Sequence, residues 1–591
     1  MDWVEILADS TVYRLLPHAL LPLGGNQTCL VCDYATNNLV LSTRDIPILQ
    51  NLGKNGSFRE LFQRGLSQAL GSPRRVMRLL KLLIASNVLI PERDHIHSKT
   101  PADDGSLQTP LTAIVNTADR VDFCCRCLAS LRDSGDIAAM LGSLLIIDGS
   151  RDPANSIELQ KKLPQVCRTL AAPVIYFGPQ ERAKVLHCLA AEGFNKEVLS
   201  FIIGESQDVF SAGAARNLAL LLTAGRDAVT IDDDAVWKFY ILSGAEISSA
   251  LSLSNETRSW SIHFYTTREA ALQAHSPAPI DAAGAAKRLL GKSLAQVAAS
   301  WPGAIDDRYA CGHMDEDILN RTGCVAAVQV GIVGDSGWHS ADLLSAYDEQ
   351  LAQRFHNFPS TLRTSLLSRE VSAYSRTCSI GHDSKCMAIG LFLHNKLPLP
   401  PFMPQHRNED GVFGGMVQAC LPHAYSAHLP FAMLHDAAQR SGYQRVERVR
   451  ACDLALRLIA DGTAGGPLGL GGVGLYFAER AALCDRGWAR FMKTVTARIR
   501  GGRIEEITAP LQRFRNSSPV RQQLQRCRDR LIQDLVDNPT AIAEFGSDIA
   551  RSRQFVSLFG QMCSTWPALR DCALRNADRL LQIGRNVAKA S

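Results

Sequence analysis

Between Leu111 and Trp237 short apolar runs alternate with helical stretches, and this alternation constrains the fold more than any other feature of the chain. Leu111–Thr117, Leu144–Ser150, Pro173–Phe177 and Ala228–Ile231 read as strands rich in β-branched residues. Val121–Leu131 and Ser211–Leu222 have helical spacing. Strands joined through helices imply a parallel sheet whose ligands lie at the carboxyl ends of the strands. Two of those ends are acidic: Asp148 closes one strand, and Asp232, Asp233 and Asp234 close another. Three adjacent carboxylates repel one another in a low-dielectric setting unless a cation sits between them. A divalent ion suits them, because hard cations prefer carboxylate oxygens. The competing reading is an exposed acidic turn or a helix N-cap cluster.

With 591 residues the chain has room for roughly three or four domains of about 150 residues. A net charge of +5 is small for this length and gives no argument for nucleic-acid binding. No run of 18 apolar residues occurs, so no membrane span is expected. Met1-Asp-Trp-Val-Glu5 lacks the basic start and apolar core of an export signal. Seventeen cysteines, an odd number, lie scattered in apolar contexts, which fits reduced thiols in a cytoplasmic protein. Cys29-Leu-Val-Cys32 and Cys124-Cys-Arg-Cys127 have no downstream partner at zinc spacing and read as small apolar fillers.

Residues 1–95 read as a compact α+β unit with a winged-helix-like order. Leu20–Asp33 and Asn38–Leu41 read as strands around a turn at Ala35–Asn38. A helix with Ile46, Leu49 and Leu52 follows, then Ser57–Ala69, then a helix with Val76, Leu79, Leu80 and Leu83 on one face, leading into Val88–Pro91. Asn38–Thr43, the first helix, and the leucine-rich helix running into Asn87–Ile90 resemble the PqqD-type fold that recognises precursor peptides. That resemblance implies capture of a leader peptide as an added strand. A dimerisation module or a nucleic-acid binder using Arg74, Arg75, Arg78 and Lys81 stays open beside it. Residues 96–110, rich in Asp, Ser and Pro, read as a linker.

The central region resembles family 2 glycosyltransferases of the GT-A fold at four places in order. Ala113–Arg120 stands at the opening strand and nucleotide-contacting loop, and Ile146–Ser150 at the strand whose aspartate faces the nucleobase. Ser211-Ala-Gly-Ala-Ala-Arg-Asn217 is similar to the segment before the metal strand, and Ile231–Asp234 to the DxD element. The resemblance implies an α/β nucleotide-sugar domain over 111–440. It also implies donor contacts from Asn116, Asp148, Arg216, Asp232 and Asp233, and a Mn2+ or Mg2+ ion on Asp234 and Asp232. Asp233 is open as a replacement for either of its neighbours. His435 is implied as a late metal ligand.

Transfer also needs a base for the acceptor. Glu409-Asp410, at a helix start, resembles the family's acidic pair, which implies Asp410 as base and Glu409 as its neighbour or an acceptor contact. An in-line base implies inversion. The interval before it is long, and about 285–395 reads as an acceptor-side insertion; within the interval Asp315, Glu316 and Asp317 are a rival source of the base. Gly334-Asp-Ser-Gly337 does not form a nucleophile elbow. Residues 441–591 read as a helical region that packs on the transferase or mediates self-association, with Gly465–Gly474 as a flexible loop. The expected partners are a nucleotide-sugar donor and a precursor or leader peptide. The alternatives are a glycan or cell-surface polysaccharide transferase and a non-catalytic binding protein on a degenerate fold.

Overall fold

The computed structural model describes residues 12–15, 18–31, 39–53, 55–69, 72–86, 88–91, 110–204, 211–254, 260–309, 313–337, 368–438, 448–463, 469–511 and 519–587. The expected turn at Ala35–Asn38, the linker 100–109 and Cys32 lie outside the described residues.

The main sheet carries the strands Val174–Phe177, Leu141–Asp148, Leu111–Thr117 and Asp227–Asp232 as parallel neighbours in that order. In chain order this is 3-2-1-4, the arrangement of a doubly wound nucleotide-binding half. Gly390–His394 then runs antiparallel to Asp227–Asp232. Beyond it Cys324–Asp335 and Ala424–His435 return to the first direction as a parallel pair. One antiparallel strand thus interrupts an otherwise parallel run, so Thr117, Asp148, Asp232, Asp335 and His435 all end at the same edge.

The strands are apolar without alternation because both faces are covered. Ala113, Val115, Leu144 and Ile146 join a core with the helices Val121–Asp133 and Pro153–Val166. Ile114, Leu145 and Ile147 face a second core with Ala212–Leu222, Glu409–Cys420 and the carboxyl-terminal helices. The last 12-residue strands outrun the sheet, and their far halves pair with Glu370–Ser375 and Ala235–Leu242 in a second layer beside the acidic edge.

Several expectations change here. Part of the interval 285–395 is not an insertion, since Cys324–Asp335 and Gly390–His394 are inner strands of the main sheet. Leu20–Asp33 is not one strand: Ala19–Gly24 and Gln27–Val31 form a hairpin, because Gly25 adopts a left-handed φ of 59° that a tight turn needs. Gly469–Ala481 is a helix, although the glycines suggested a loop. A side chain at Gly474 would meet Gly560 O at 2.8 Å, so the glycines let this helix press against Ile549–Arg575.

The residues 12–91 have a core of their own around Leu30, Ile48, Phe58, Val76 and Leu80. The carboxyl-terminal helices do not: Phe477, Trp488, Phe555 and Trp566 belong to the second core of the main sheet. Trp566 is buried and its Nε1 donates to Leu399 O at 2.8 Å, while Arg570 donates to Asn395 O at 2.6 Å. This helix therefore braces the segment that leads to Glu409. Trp566→Ala should cost about 3–5 kcal/mol, read as a lower denaturant midpoint for the whole sheet domain. No helix among the described residues is long and apolar enough to cross a membrane.

Candidate active site at the carboxyl edge of the sheet

Asp232 ends its strand opposite Asn116, and the chain turns at once through Asp233 and Asp234 into Ala235–Leu242. The three carboxylates therefore point to different partners. Asp233 accepts from Thr117 Oγ1 at 2.8 Å and from Arg120 at 3.0 Å. Asp234 accepts from Arg120 at 2.7 Å and faces His435 Nε2 at 3.0 Å. Asp232, its side chain one-third exposed, accepts from Arg216 at 2.5 Å. The cations that the acidic triplet required are thus partly supplied by the protein. Arg120 is the contributor that sequence reading missed; the signal was an arginine at the start of the helix following the opening strand.

Burial pushes Asp233 up to about 7 despite Arg120, and the adjacent Asp234 adds to the shift. Asp232 is raised as well, by desolvation among the packed groups around it although a third of its side chain is exposed, against the pull of Arg216. For His435 burial alone would lower the pKa, but the Asp234 carboxylate holds the imidazolium and raises it to about 9. The imidazole is oriented by Asp335: Nδ1 lies 2.7 Å from Asp335 O, so Nδ1–H donates to the carbonyl and Nε2 is aimed at Asp234. That is the role of Gly334-Asp-Ser-Gly337, whose Gly334 and Gly337 take φ of 119° and 66°.

Glu409 and Asp410 open a helix that starts at the same edge. Arg216, 3 % exposed, donates to Glu409 with one nitrogen and to Asp232 with another, and its Nε has no hydrogen-bond partner. Its guanidinium lies 5.7 Å from the Phe402 ring centroid. A side chain at Gly213 would collide with Met403 O, so only glycine lets this helix lie against the 402–404 backbone. Asn217 completes the clamp by bonding both Phe402 N–H (2.6 Å) and Phe402 O (3.0 Å). Asp410 accepts from Gly411 N–H at 2.9 Å and Ala388 N–H at 3.4 Å. Burial first and Glu409 second raise it to about 7, against Arg216. His406 and Asn408, just before this pair, have φ of 68° and 70°, and Asp119 has 56°. Non-glycine residues in this region carry strain, which concentrates at functional sites.

Two expected donor contacts stand differently. Asp148 is fully buried and accepts from Ser150 N–H (2.8 Å), Ser156 Oγ (2.7 Å) and Tyr176 Oη (2.6 Å), so it organises the loop after its strand. Asn116 is buried, with Nδ2 donating to Thr230 Oγ1 at 3.0 Å and Oδ1 left without a hydrogen bond. The rival acidic cluster is elsewhere: Asp317 binds His423 (2.8 Å) and Tyr425 (2.5 Å) at the opening of the strand that ends in His435. A strand of that length spans about 35 Å, which separates Asp317 from the site.

No group of three or more His, Cys, Asp or Glu side chains that could hold a metal occurs among the described residues. Asp234 Oδ1 and His435 Nε2, however, are 3.0 Å apart, which is about the spacing of adjacent ligands around an ion bound at 2.1 Å. The hydrogen bond on Nδ1 is the outer-shell support that metal-bound imidazoles show. The hydrogen-bonded group holds four carboxylates, Asp232, Asp233, Asp234 and Glu409, against Arg120, Arg216 and His435, with Asp410 beside it, and once His435 is neutral the excess of negative charge is one that a divalent cation offsets. An ion bound there would take the place of the Nε2 proton that His435 shares with Asp234, while Asp232 is held away on Arg216. A comparison with known protein families gives no match, and neither does a comparison with curated proteins.

Proposed function

We propose that this chain is a metal-dependent glycosyltransferase of the GT-A type, which moves a sugar from a nucleotide-sugar donor to an acceptor. The observation that carries the reading is the gathering of Asp234, His435 and the base candidate Asp410 on one edge of a sheet in 3-2-1-4 order. Ligands of such sheets bind at the carboxyl ends where the strand order reverses, here between Leu111–Thr117 and Asp227–Asp232.

In this reading Asp234 and His435 hold Mn2+ or Mg2+. Bound there, the ion supplies Lewis-acid neutralisation of the departing diphosphate. Arg120, whose side chain is 44 % exposed while it holds Asp233 and Asp234, is the cation that would serve the donor phosphates. Asp410 takes the proton from the acceptor as it attacks, a single displacement that inverts the anomeric centre. Glu409 and Arg216 hold the helix start in place.

The amino-terminal unit supports a peptide acceptor. One of its two three-stranded sheets among the described residues has Ala19–Gly24 and Leu39–Ser42 on its edges, and these strands expose Leu21, Leu23 and Val40. Edge strands with exposed apolar side chains are templates for an added strand. A non-catalytic nucleotide-binding protein is the second reading, favoured by the engagement of all three aspartates by Arg120 and Arg216. The deciding experiment is a panel of nucleotide sugars incubated with the protein and Mn2+, with and without peptide acceptors. Metal-dependent turnover that disappears in Asp410→Asn supports transfer; donor binding with no turnover of any member leaves the binding-protein reading.

A further inference from the structure

Arg216 is the one side chain among the described residues seen to join the donor strand to the acceptor helix directly, and its surroundings leave it little freedom. It is 3 % exposed and carried on a helix that Gly213, Asn217 and Ser211 fasten to the 402–404 segment; Ser211 Oγ donates to Pro404 O at 2.5 Å. Its two terminal nitrogens serve Asp232 and Glu409, residues separated by 177 positions but by a single guanidinium in space. One cation shared between two carboxylates sets up a competition. Whatever strengthens its hold on one weakens its hold on the other.

We propose that Arg216 is a positioning residue that controls when Asp232 joins the metal shell, with Glu409 as the alternative seat for its charge. This inference rests on the metal-centred reading above. In the described arrangement Asp234 and His435 stand side by side, while Asp232 Oδ1 is occupied by Arg216 at 2.5 Å. An ion on Asp234 and His435 repels the nearby guanidinium. Glu409 lets the guanidinium shift toward the acceptor helix without becoming an unpaired buried cation, a state that burial strongly disfavours. Asp232 is then released toward the ion. By thermodynamic linkage, a change on the acceptor helix must alter ion affinity on the donor side.

The test is calorimetric titration of the full chain with Mn2+ alone, with no donor or acceptor. Glu409→Gln keeps the shape and removes the charge, so Arg216 is committed to Asp232 and the Mn2+ Kd should weaken about five- to tenfold. Arg216→Gln should tighten Mn2+ binding, and adding Glu409→Gln to it should then change the Kd less than twofold, the pattern of a coupled pair. Arg216→Lys, which keeps the charge, should restore sensitivity to Glu409→Gln if the arginine variant is poorly folded. Mn2+ binding that Asp234→Ala removes but Glu409→Gln leaves unchanged overturns the inference and spares the metal reading. No Mn2+ binding by the unaltered chain overturns both.

Discussion

Asp410→Asn should lower sugar transfer by about 10²–10⁴-fold while leaving the Mn2+ Kd within about twofold. Asp410 lies at the start of its helix; among the described residues it is hydrogen-bonded only by the backbone N–H groups of Gly411 and Ala388 and shares no hydrogen bond with Asp234 or His435. The amide fills the same volume but accepts no proton from the acceptor. A base whose pKa is about 7 is deprotonated over the upper half of the neutral range, which is where general-base efficiency is greatest. The rate should therefore climb with pH through about 7 and level off near 8. At pH 6 it should be about a tenth of the plateau.

The same substitution should raise thermal stability at pH 8, and the sign follows from linkage. Asp410 has a folded pKa of about 7, above the usual carboxylate value of about 3.9 in the unfolded chain. Between those values the folded state binds more protons, so stability falls as pH rises through that window. Asparagine carries no such penalty. Its advantage should be full above pH 7 and absent near pH 4, measured as the difference in Tm between the two proteins. A base kept ionised beside Glu409 is thus a place where stability is given up for activity.

Much of this arrangement can be read from residue order. Alternating strand and helix patterns locate Leu111–Thr117, Val121–Asp133 and Ala212–Leu222 to within about two residues, because each buries an uninterrupted apolar face. What pattern cannot supply is which distant strands become neighbours. Gly390–His394 enters between Asp227–Asp232 and Cys324–Asp335, so a stretch that reads as an insertion supplies inner strands. The acidic residues were legible as a cluster, but their partners were not. Arg120 and Arg216 reach the triplet from two helices, and only the folded chain shows that the first holds Asp233 and Asp234 and the second Asp232. Asp148 looks the same in sequence as Asp232, since both end an apolar strand. The hydroxyls of Ser156 and Tyr176 turn it inward.

Asp234→Ala should have the largest effect on the ion, weakening Mn2+ binding by at least about 100-fold and taking metal-dependent turnover to background. It removes the oxygen that stands 3.0 Å from His435 Nε2, and with it the pairing on which a two-ligand shell depends. Alteration of outer-shell partners alone typically costs 10–100-fold in affinity, so loss of a direct ligand belongs above that range. Asp233→Ala provides the contrast. Asp233 is committed to Thr117 Oγ1 and Arg120 and shows no hydrogen bond to His435, so its loss should leave the Mn2+ Kd within about threefold. Equal losses from the two substitutions would mean that the ion sits over the turn between them and not beside His435. Measured at pH 8, where Asp233 with its pKa of about 7 is mostly ionised, the contrast also separates charge from geometry, because each variant then removes about one negative charge from the same group. A divalent ion drawn only by the surplus of carboxylates would respond to both alike, whereas one seated on Asp234 and His435 responds to the first.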